Sequence, residues 1–233
     1  MEQLGAINFD NLKKEQIKLS KKIILKDELK DVRKVGGIDQ AYIQEEVISC
    51  IIVCDCKTGE IIERQTAVAK APILYKPGFL AYRELPAMVE AYNKLTTIPD
   101  VVIVDGHGIA HPRRLGIASH FGLVMNVPTI GVAEHVILGK IEKGKIYIEK
   151  THVGCEVRTK EHARPIYVSP GHMISIGTAV RIVLETTKEP HKLPEPLHWA
   201  HRGARKEMKR LLEEKEGKTE TVRSKVSNQT SPD

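Results

Sequence analysis

The sequence lacks the long apolar runs and the C-x-x-C cysteine pairs that mark several large classes of protein. Its longest apolar runs, such as residues 47–53, are far shorter than the roughly 20 residues that a membrane-spanning helix needs. The first residues show no signal-peptide pattern, so we expect a cytoplasmic protein with no membrane partner. No C-x-x-C motif is present, and we therefore expect reduced thiols rather than a zinc site or disulfides.

The sequence also lacks internal repeats, heptads and a long apolar surface stripe, so we expect a monomer. The hydrophobic content of 41% is sufficient for one domain of ordinary size, which we place at residues 1–215. Residues 216–233 contain almost nothing to bury and are expected to form a disordered polar tail. The net charge of +6 fits a polyanionic partner.

The hydrophobic pattern predicts an α/β protein. A helix is expected over residues 8–30, followed by β-type segments at residues 34–42, 46–55 and 60–70. A turn at residues 57–60 joins two alternating runs, which indicates an antiparallel hairpin. Further along the chain helical and β-type segments alternate, which is typical of parallel strands. The pattern therefore predicts a mixed sheet that begins as an antiparallel meander.

The most informative segment of the chain runs from Val101 to His120. Residues 101–104 have the continuous β-branched pattern of a strand buried on both faces, which would hold Asp105 rigidly at the edge of the sheet. The loop that follows is rich in basic side chains: His107, His111, Arg113, Arg114 and His120. A carboxylate beside such groups suggests chemistry on phosphates. The alternative is an ordinary turn after Asp105.

Two further acidic residues are candidates to act with Asp105. Asp39 lies in the first β-type segment, and Glu84 lies at the start of a predicted helix. Three carboxylates from three elements suit a hard divalent cation such as Mg²⁺, which also binds a phosphate oxygen. A zinc-protease site at His107 and His111 is a weaker alternative, because glycine and proline in this loop argue against a helix.

Taken together, these segments resemble the endonuclease V family. The order and spacing of the shared motifs exceed what chance would supply: Gly37-Ile38-Asp39, Tyr75-Lys76-Pro77-Gly78, Tyr82-Arg83-Glu84 and residues 105–113, 115–120, 128–133 and 168–172. The similarity extends over residues 10–212. It implies a ribonuclease H-like fold, with helices on both faces of a mixed central sheet.

The resemblance also implies a function. Members of the family recognise inosine, the product of adenine deamination, and hydrolyse a phosphodiester bond one nucleotide to its 3′ side. The implied partner is inosine-containing DNA or RNA, in DNA repair or RNA processing, and no identifiable reader of the 2′-hydroxyl separates the two. Two alternatives stay open: a module that binds inosine without cutting, and a resolvase-type nuclease on the same fold.

The resemblance assigns catalytic roles to five residues. By this similarity Asp39, Glu84 and Asp105 hold Mg²⁺, with Mn²⁺ as a possible substitute, to activate the attacking water and the scissile phosphate. His201 resembles a late histidine near the metal site of the family; the alternative is a histidine on the inner face of the last helix. His111 is expected to order the metal-bound water or the loop.

The resemblance assigns substrate-binding roles to a second group of residues. Tyr75 matches the aromatic wedge of the family, which stacks into the space left when the modified nucleotide rotates into a pocket. Pro77 and Gly78 shape this wedge loop. The base pocket is expected near four residues: Gly78, Leu80, Gly116 and His120.

One position departs from the family. Members commonly carry Lys where Glu134 stands, and that Lys would serve the substrate phosphate. The reversed charge at Glu134 is expected either to repel phosphate or to bind metal. Arg113 and Lys140 are candidates to supply the missing positive charge to the substrate.

Overall fold

The computed structural model describes residues 7–29 and 31–227, and the side chains among them up to residue 217. The helices are α1 Phe9–Ser20, α2 Leu80–Asn93, α3 Ile117–Met125, α4 Ile176–Thr186 and α5 Glu195–Ser227. The strands are β1 Lys34–Ile43, β2 Glu46–Asp55, β3 Ile61–Lys70, β4 Val101–Asp105, β5 Thr129–Ala133, β6 Lys140–Glu142, β7 Lys145–Ile148, β8 Thr151–Val157 and β9 Ile166–His172. Within these ranges no helix combines the length and the hydropathy that crossing a membrane would require.

The described strands form one mixed sheet. Its order is β3, β2, β1, β4, β5, β9, β8, β7, β6. Strands β1 to β3 form an antiparallel meander, whereas β4 runs parallel to β1, and β5 runs parallel to β4. The remaining pairs, from β5 to β9 and outward to β6, are antiparallel. The prediction of a mixed sheet that begins as an antiparallel meander is confirmed.

Helices cover both faces of the sheet, and the alternation along each strand decides which face a side chain joins. On one face Ile38 of β1 packs in a cluster with Met88 of α2 and Phe121 of α3. On the opposite face Ile48 of β2 packs in a cluster with Ala204 of α5. Helix α4 covers the same side as α5, against β4 and β5. The core therefore lies in two layers that the sheet separates.

The cysteines belong to this core. Cys50, Cys54 and Cys56 are buried, and all four cysteines of the chain are free thiols. Burial raises the pKa of the Cys50 and Cys54 thiols to about 12. These two thiols therefore stay protonated at neutral pH and act as small apolar side chains.

Both terminal helices differ in length from the sequence prediction. Helix α1 ends at Ser20 instead of continuing to residue 30, because the following segment crosses to the end of β9. There the Ile24 N–H donates a hydrogen bond to His172 Nδ1 at 3.3 Å. Helix α5 continues to Ser227, through part of the segment for which the sequence predicts a disordered tail, and the residues beyond it lie outside the described ranges.

Two glycines allow α5 to lie directly against the sheet. A Cβ atom at Gly37 of β1 would come within 2.1 Å of the carbonyl carbon of Pro196. A Cβ atom at Gly203 of α5 would lie 2.4 Å from the Sγ atom of Cys50. A larger residue at Gly37 would require a shift of the helix, and one at Gly203 would require a shift of the helix or of the Cys50 side chain. The missing side chains therefore set the distance of α5 from β1 and β2.

The substitution Gly37→Ala tests this contact. The new methyl group would meet backbone atoms of Pro196 and Leu197, which cannot rotate away as a flexible side chain can. We expect the free energy of unfolding in urea to fall by about 1–3 kcal/mol, the usual cost of overpacking.

Gly177→Ala in α4 is the matched control. No atom lies within 4 Å of a Cβ built at Gly177, and Ala favours a helix, so this variant should be at least as stable as the wild type. Equal stability of Gly37→Ala and Gly177→Ala would contradict the close contact between α5 and β1.

Candidate active site

The pairing of β1 with β4 brings two acidic residues together. The two strands are parallel, and Ile38 lies opposite Val104. Asp39 and Asp105 follow these residues and are therefore neighbours on the same face of the sheet. Asp105 lies at the bottom of a cleft, where protein atoms surround its carboxyl group. This burial raises the pKa of Asp105 well above its usual value, and the nearby Asp39 carboxylate raises it further. The Asp105 side chain nevertheless stays open to solvent through the cleft.

Helix α2 contributes a third carboxyl group, that of Glu84. This side chain is buried, and the Tyr42 hydroxyl donates a hydrogen bond to its Oε1 atom. Burial raises the pKa of Glu84 to about 7, with a further contribution from the charge of Asp39, although the Tyr42 hydrogen bond acts in the opposite direction. Glu84 therefore binds protons far more readily than an exposed glutamate.

Helix α5 contributes His201. Its Nδ1 atom lies 2.7 Å from Oδ2 of Asp39, and the Asp39 Oδ1 atom accepts a hydrogen bond of 2.6 Å from the Gln40 N–H. Asp39 is buried, whereas the His201 side chain is 42% exposed. The contact fixes the orientation of the imidazole ring and leaves the rest of the ring facing solvent.

These four side chains line one open cleft of about 430 Å³, which we call the carboxylate cleft. Its complete lining is Asp39, Gln40, Ala41, Tyr42, Leu80, Glu84, Asp105, His201, Arg205 and Met208. The structure thus brings together Asp39, Glu84, Asp105 and His201, which the sequence places far apart.

The residues of the carboxylate cleft fit a divalent cation by their chemistry. In the described part of the chain no group of three His, Cys, Asp or Glu side chains is already arranged as a metal-binding set. The three carboxyl groups nevertheless supply only oxygen donors, which suit a hard cation such as Mg²⁺. Burial and the nearby Asp39 carboxylate raise the pKa values of Glu84 and Asp105, and a bound cation would relieve the crowding of negative charge. Asp39, Glu84 and Asp105 are thus the residues that could hold a metal.

A proline-containing loop stands beside this cleft. We call residues 71–79 the Tyr75 loop. Ile73 and Phe79 anchor it in the protein, whereas the Leu74 and Tyr75 side chains between them are 74% and 66% exposed. Gly78 has a φ of +80°, which an L side chain rarely adopts. The loop therefore presents an aromatic ring to solvent from a fixed base.

Arg113 fastens the Tyr75 loop instead of reaching into the cleft. Its Nη2 atom donates a hydrogen bond of 2.6 Å to the Gly78 carbonyl, and its Nε atom donates to Oε1 of Gln16. The buried Gln16 side chain donates to the same Gly78 carbonyl at 3.0 Å. The Arg113 guanidinium also lies 4.7 Å from the centre of the Phe79 ring. We call this network of Gln16, Gly78 and Arg113 the loop clamp.

A second, small cavity of about 50 Å³ adjoins the cleft at Leu80, which lines both. Three of the four residues predicted for the base pocket, Gly78, Leu80 and Gly116, line it. The fourth, His120, does not; it is buried, with its ring 5.2 Å from that of Tyr82 in an edge-on contact. A cavity of this size has room for a few water molecules, so it must widen to hold a purine base.

His111 lines the small cavity and is not among the residues of the carboxylate cleft. Its Nδ1 atom accepts a hydrogen bond from the Arg113 N–H at 3.2 Å. Burial lowers the pKa of His111 and of His107 to about 4, so both rings are neutral near pH 7. The sequence suggests that His111 orders either the metal-bound water or the loop, and its position fits ordering of the loop.

Glu134 lies near the cleft without lining it. The Lys192 ammonium group donates a hydrogen bond of 3.2 Å to Oε1 of Glu134. The Glu134 carboxylate still contributes to the raised pKa of Asp105. Lys140, one candidate for a compensating charge, is exposed in the short strand β6 and does not line the cleft.

Sequence reasoning missed several residues that the fold adds to the site. Gln16, Tyr42, Ile137, Lys192 and Arg205 carry no motif of their own, and each acts through a contact across the fold. A partial signal existed for Arg205, because it follows His201 by four residues and a helix places both on one side.

Comparison with known proteins agrees with the geometry. The family model described as Endonuclease V matches residues 17–202. Endonuclease V of Dictyoglomus turgidum is 42% identical over 201 residues, which cover 83% of this chain and 88% of that protein. The crystal structure of endonuclease V from Streptomyces avermitilis is 29% identical, has a TM-score of 0.83, and covers 91% of this chain and 97% of that chain.

A further similar structure contains a nucleic acid. It is endonuclease V of Ciona intestinalis in complex with a 24mer DNA containing an inosine followed by a ribo-adenosine. It is 29% identical, with a TM-score of 0.79, and covers 87% of this chain and 98% of that chain. The solved endonuclease V structures have a ribonuclease H-like fold, and the predicted fold class is confirmed.

The loop clamp predicts how the Tyr75 loop responds to Arg113→Ala. The change leaves the buried Gln16 side chain without the donor to its oxygen, so we expect a loss of about 1–2 kcal/mol in the free energy of unfolding. Exchange of the Phe79 amide hydrogen, which bonds to the Lys76 carbonyl, should accelerate relative to amides of β2.

The double variant Gln16→Met/Arg113→Ala separates stability from loop motion. Methionine has a volume similar to that of glutamine and needs no hydrogen bond, so it should restore part of the stability while loop exchange stays fast. Wild-type exchange rates in the loop of Arg113→Ala would contradict the clamp.

Proposed function

This chain belongs to the endonuclease V family, and from that premise we propose that it cuts inosine-containing strands one nucleotide 3′ to the inosine, with a divalent metal as cofactor. The observation that carries the proposal is the convergence of Asp39, Glu84 and Asp105 in one cleft beside a small cavity that shares Leu80 with it. This arrangement suits a reaction in which a base is read at one point and a phosphate nearby is hydrolysed.

We assign the metal to the three carboxylates of the cleft. Asp39, Glu84 and Asp105 would hold Mg²⁺, for which Mn²⁺ would substitute, and the metal would supply Lewis-acid activation of the scissile phosphate. Asp39 presents one oxygen to His201 and the other to the Gln40 N–H, so its position is fixed before any ligand enters. The Tyr42 hydroxyl fixes Glu84 in the same manner.

His201 is proposed to move a proton in the reaction. Because its Nδ1 atom is bound to Asp39, the other ring nitrogen is left to exchange a proton with the attacking water or the departing oxygen. The neighbouring carboxylate orients the ring, as expected of a general acid or base.

The Tyr75 loop and the small cavity are proposed to read the base. The exposed Tyr75 ring would stack into the gap that opens when a nucleotide rotates out of its strand. Pro77 and Gly78 shape the loop, and backbone groups near Leu80 and Gly116 would contact the rotated base. The complex of the Ciona intestinalis protein with inosine-containing DNA supports this assignment.

Membership of an endonuclease family favours an enzyme over a module that binds inosine without cutting. Lys192 pairs with Glu134 and offsets part of the reversed charge at this position. We propose a monomeric, cytoplasmic enzyme with one catalytic domain within residues 1–215, which the family match over residues 17–202 supports.

Asp105→Asn tests the catalytic assignment. Single strands of DNA and RNA that each carry one inosine are incubated with Mg²⁺ or EDTA, and the product ends are mapped on a sequencing gel. The wild type should nick one nucleotide 3′ to inosine only with Mg²⁺, and its rates on the two strands establish the preferred nucleic acid. Asp105→Asn should reduce nicking by more than about 100-fold, because a metal ligand is lost.

The same variant should keep or raise the melting temperature, because it removes a carboxyl group from a crowded acidic site. Asp31→Asn, at an exposed pair with Arg33, controls for loss of one negative charge and should leave nicking unchanged. Binding of inosine strands without any Mg²⁺-dependent nick in the wild type would contradict the proposed function.

Tyr75→Ala tests the wedge. Loss of the ring should weaken binding of an inosine-containing strand by about 1–3 kcal/mol, the range for one base–aromatic stack. Tyr75→Phe keeps the ring and should bind within twofold of the wild type, about 0.4 kcal/mol. Fluorescence anisotropy with labelled strands measures both, and equal affinities of the Ala and Phe variants would exclude the wedge.

A further inference from the structure

The carboxylate cleft must accept a phosphate anion although acidic groups dominate it. Its three carboxyl groups are joined by the nearby Glu134 carboxylate, which adds to the negative charge around Asp105. Negative charge at this density repels a phosphodiester unless cationic groups offset it. Among the described residues that line the cleft, His201 and Arg205 are the ones with basic side chains. His201 is already bound to Asp39.

Among the described residues, Arg205 differs from the other cations around the site in having no partner. Arg113 is held by the loop clamp, Arg83 donates to the Ile73 carbonyl at 3.2 Å, and Lys192 is paired with Glu134. Arg205 is exposed and makes no hydrogen bond, ion pair or ring contact with the described part of the chain. Its guanidinium group is therefore free to bind a ligand in the cleft.

The direction of α5 fixes where Arg205 lies along the cleft. The helix runs along β1 in the direction of the strand, because its first turn meets Gly37 and its His201 meets Asp39. Arg205 comes one helical turn after His201, on the same side of α5. The small cavity includes no residue of α5, and its lining residues Ala81 of α2 and Ile117 of α3 pack on the opposite face of the sheet from α5. Asp39 and Asp105 belong to strands of the sheet that separates these two faces, so the carboxylates lie between Arg205 and the small cavity.

We infer that Arg205 binds the phosphate that follows the cleaved bond on its 3′ side and so positions the strand in the carboxylate cleft. This inference rests on the proposed function, because it assumes that the inosine base, which lies on the 5′ side of the cleaved bond, occupies the small cavity. With inosine at one end of the site and Arg205 at the other, the scissile phosphate between them lies over Asp39 and Asp105.

The chemistry of the guanidinium group suits this role. Arginine presents parallel N–H donors that bind two oxygens of one phosphate, whereas a lysine ammonium group acts as a point charge. Backbone phosphates are the same beside every base, so the contact positions the strand without contributing to base choice. Arg205 would therefore affect affinity for every strand and leave the preference for inosine intact.

The test compares Arg205→Gln and Arg205→Lys with Lys206→Gln. Lys206 is the adjacent exposed cation of α5, but it lines a different groove beside Arg64. Binding of an inosine-containing single strand is measured in EDTA at several salt concentrations. Arg205→Gln should weaken binding about 10-fold and lower the slope of log affinity against log salt by about 0.7, the value for one phosphate contact on a single strand.

Arg205→Lys should restore the salt slope and only part of the affinity, because it returns the charge without the two-oxygen contact. Lys206→Gln should keep both values within error of the wild type. With Mg²⁺ present, the KM of Arg205→Gln should rise more than its kcat falls, and unchanged melting temperatures show that the variants are folded. The same affinity and slope for Arg205→Gln and Lys206→Gln would overturn the inference.

Strands with one uncharged methylphosphonate locate the contact. The wild type should lose affinity when the neutral group replaces the phosphate 3′ to the cleaved bond, and Arg205→Gln should be insensitive at that position alone. Identical profiles for the two proteins, or a difference on the 5′ side of inosine, would refute the assignment. If the wild type fails to nick at inosine, the proposed function fails, whereas the salt slope, measured also on a strand without inosine, still decides whether Arg205 binds phosphate.

Discussion

The parallel pairing of β1 with β4 is the constraint on which the site depends. It places Asp39 beside Asp105, two groups that repel each other when ionised. The residues beneath them, including Ile38 and Val104, are fully buried, so neither strand can shift to separate the carboxyl groups without exposing core. The hydrophobic core thus holds in place an arrangement of charges that is unfavourable in the absence of a cation.

The two helical layers complete this site from opposite sides. Helix α2 brings Glu84 from one face of the sheet, and α5 brings His201 from the other. The close approach of α5 depends on the missing side chains at Gly37 and Gly203. Since the position of His201 follows from that approach, residues outside the carboxylate cleft determine the geometry of residues that line it.

Local patterns were sufficient to predict the strands, their mixed arrangement and the acidic residues of the cleft. Asp105 follows an unmistakable buried strand, and Asp39 and Glu84 lie in motifs with a family resemblance. The end of α1 could not be predicted, because a contact of residue 24 with β9 overrides helical preference. Arg113, whose charge suggested a substrate contact, instead bonds to Gly78, and its partner Gln16 lies 97 residues earlier in the chain. Such pairings depend on the complete fold, so the sequence around each residue contains no trace of them.

Under the proposed function, the closed state of the small cavity has a consequence for how inosine is found in a strand. A cavity of about 50 Å³ beside a clamped loop is too small to hold a purine base. Inspection of a nucleotide would therefore require both widening of the cavity and unstacking of that base. Ordinary bases would then be rejected in part by the rarity of entry, before any contact with the cavity wall. Discrimination of this kind would be kinetic.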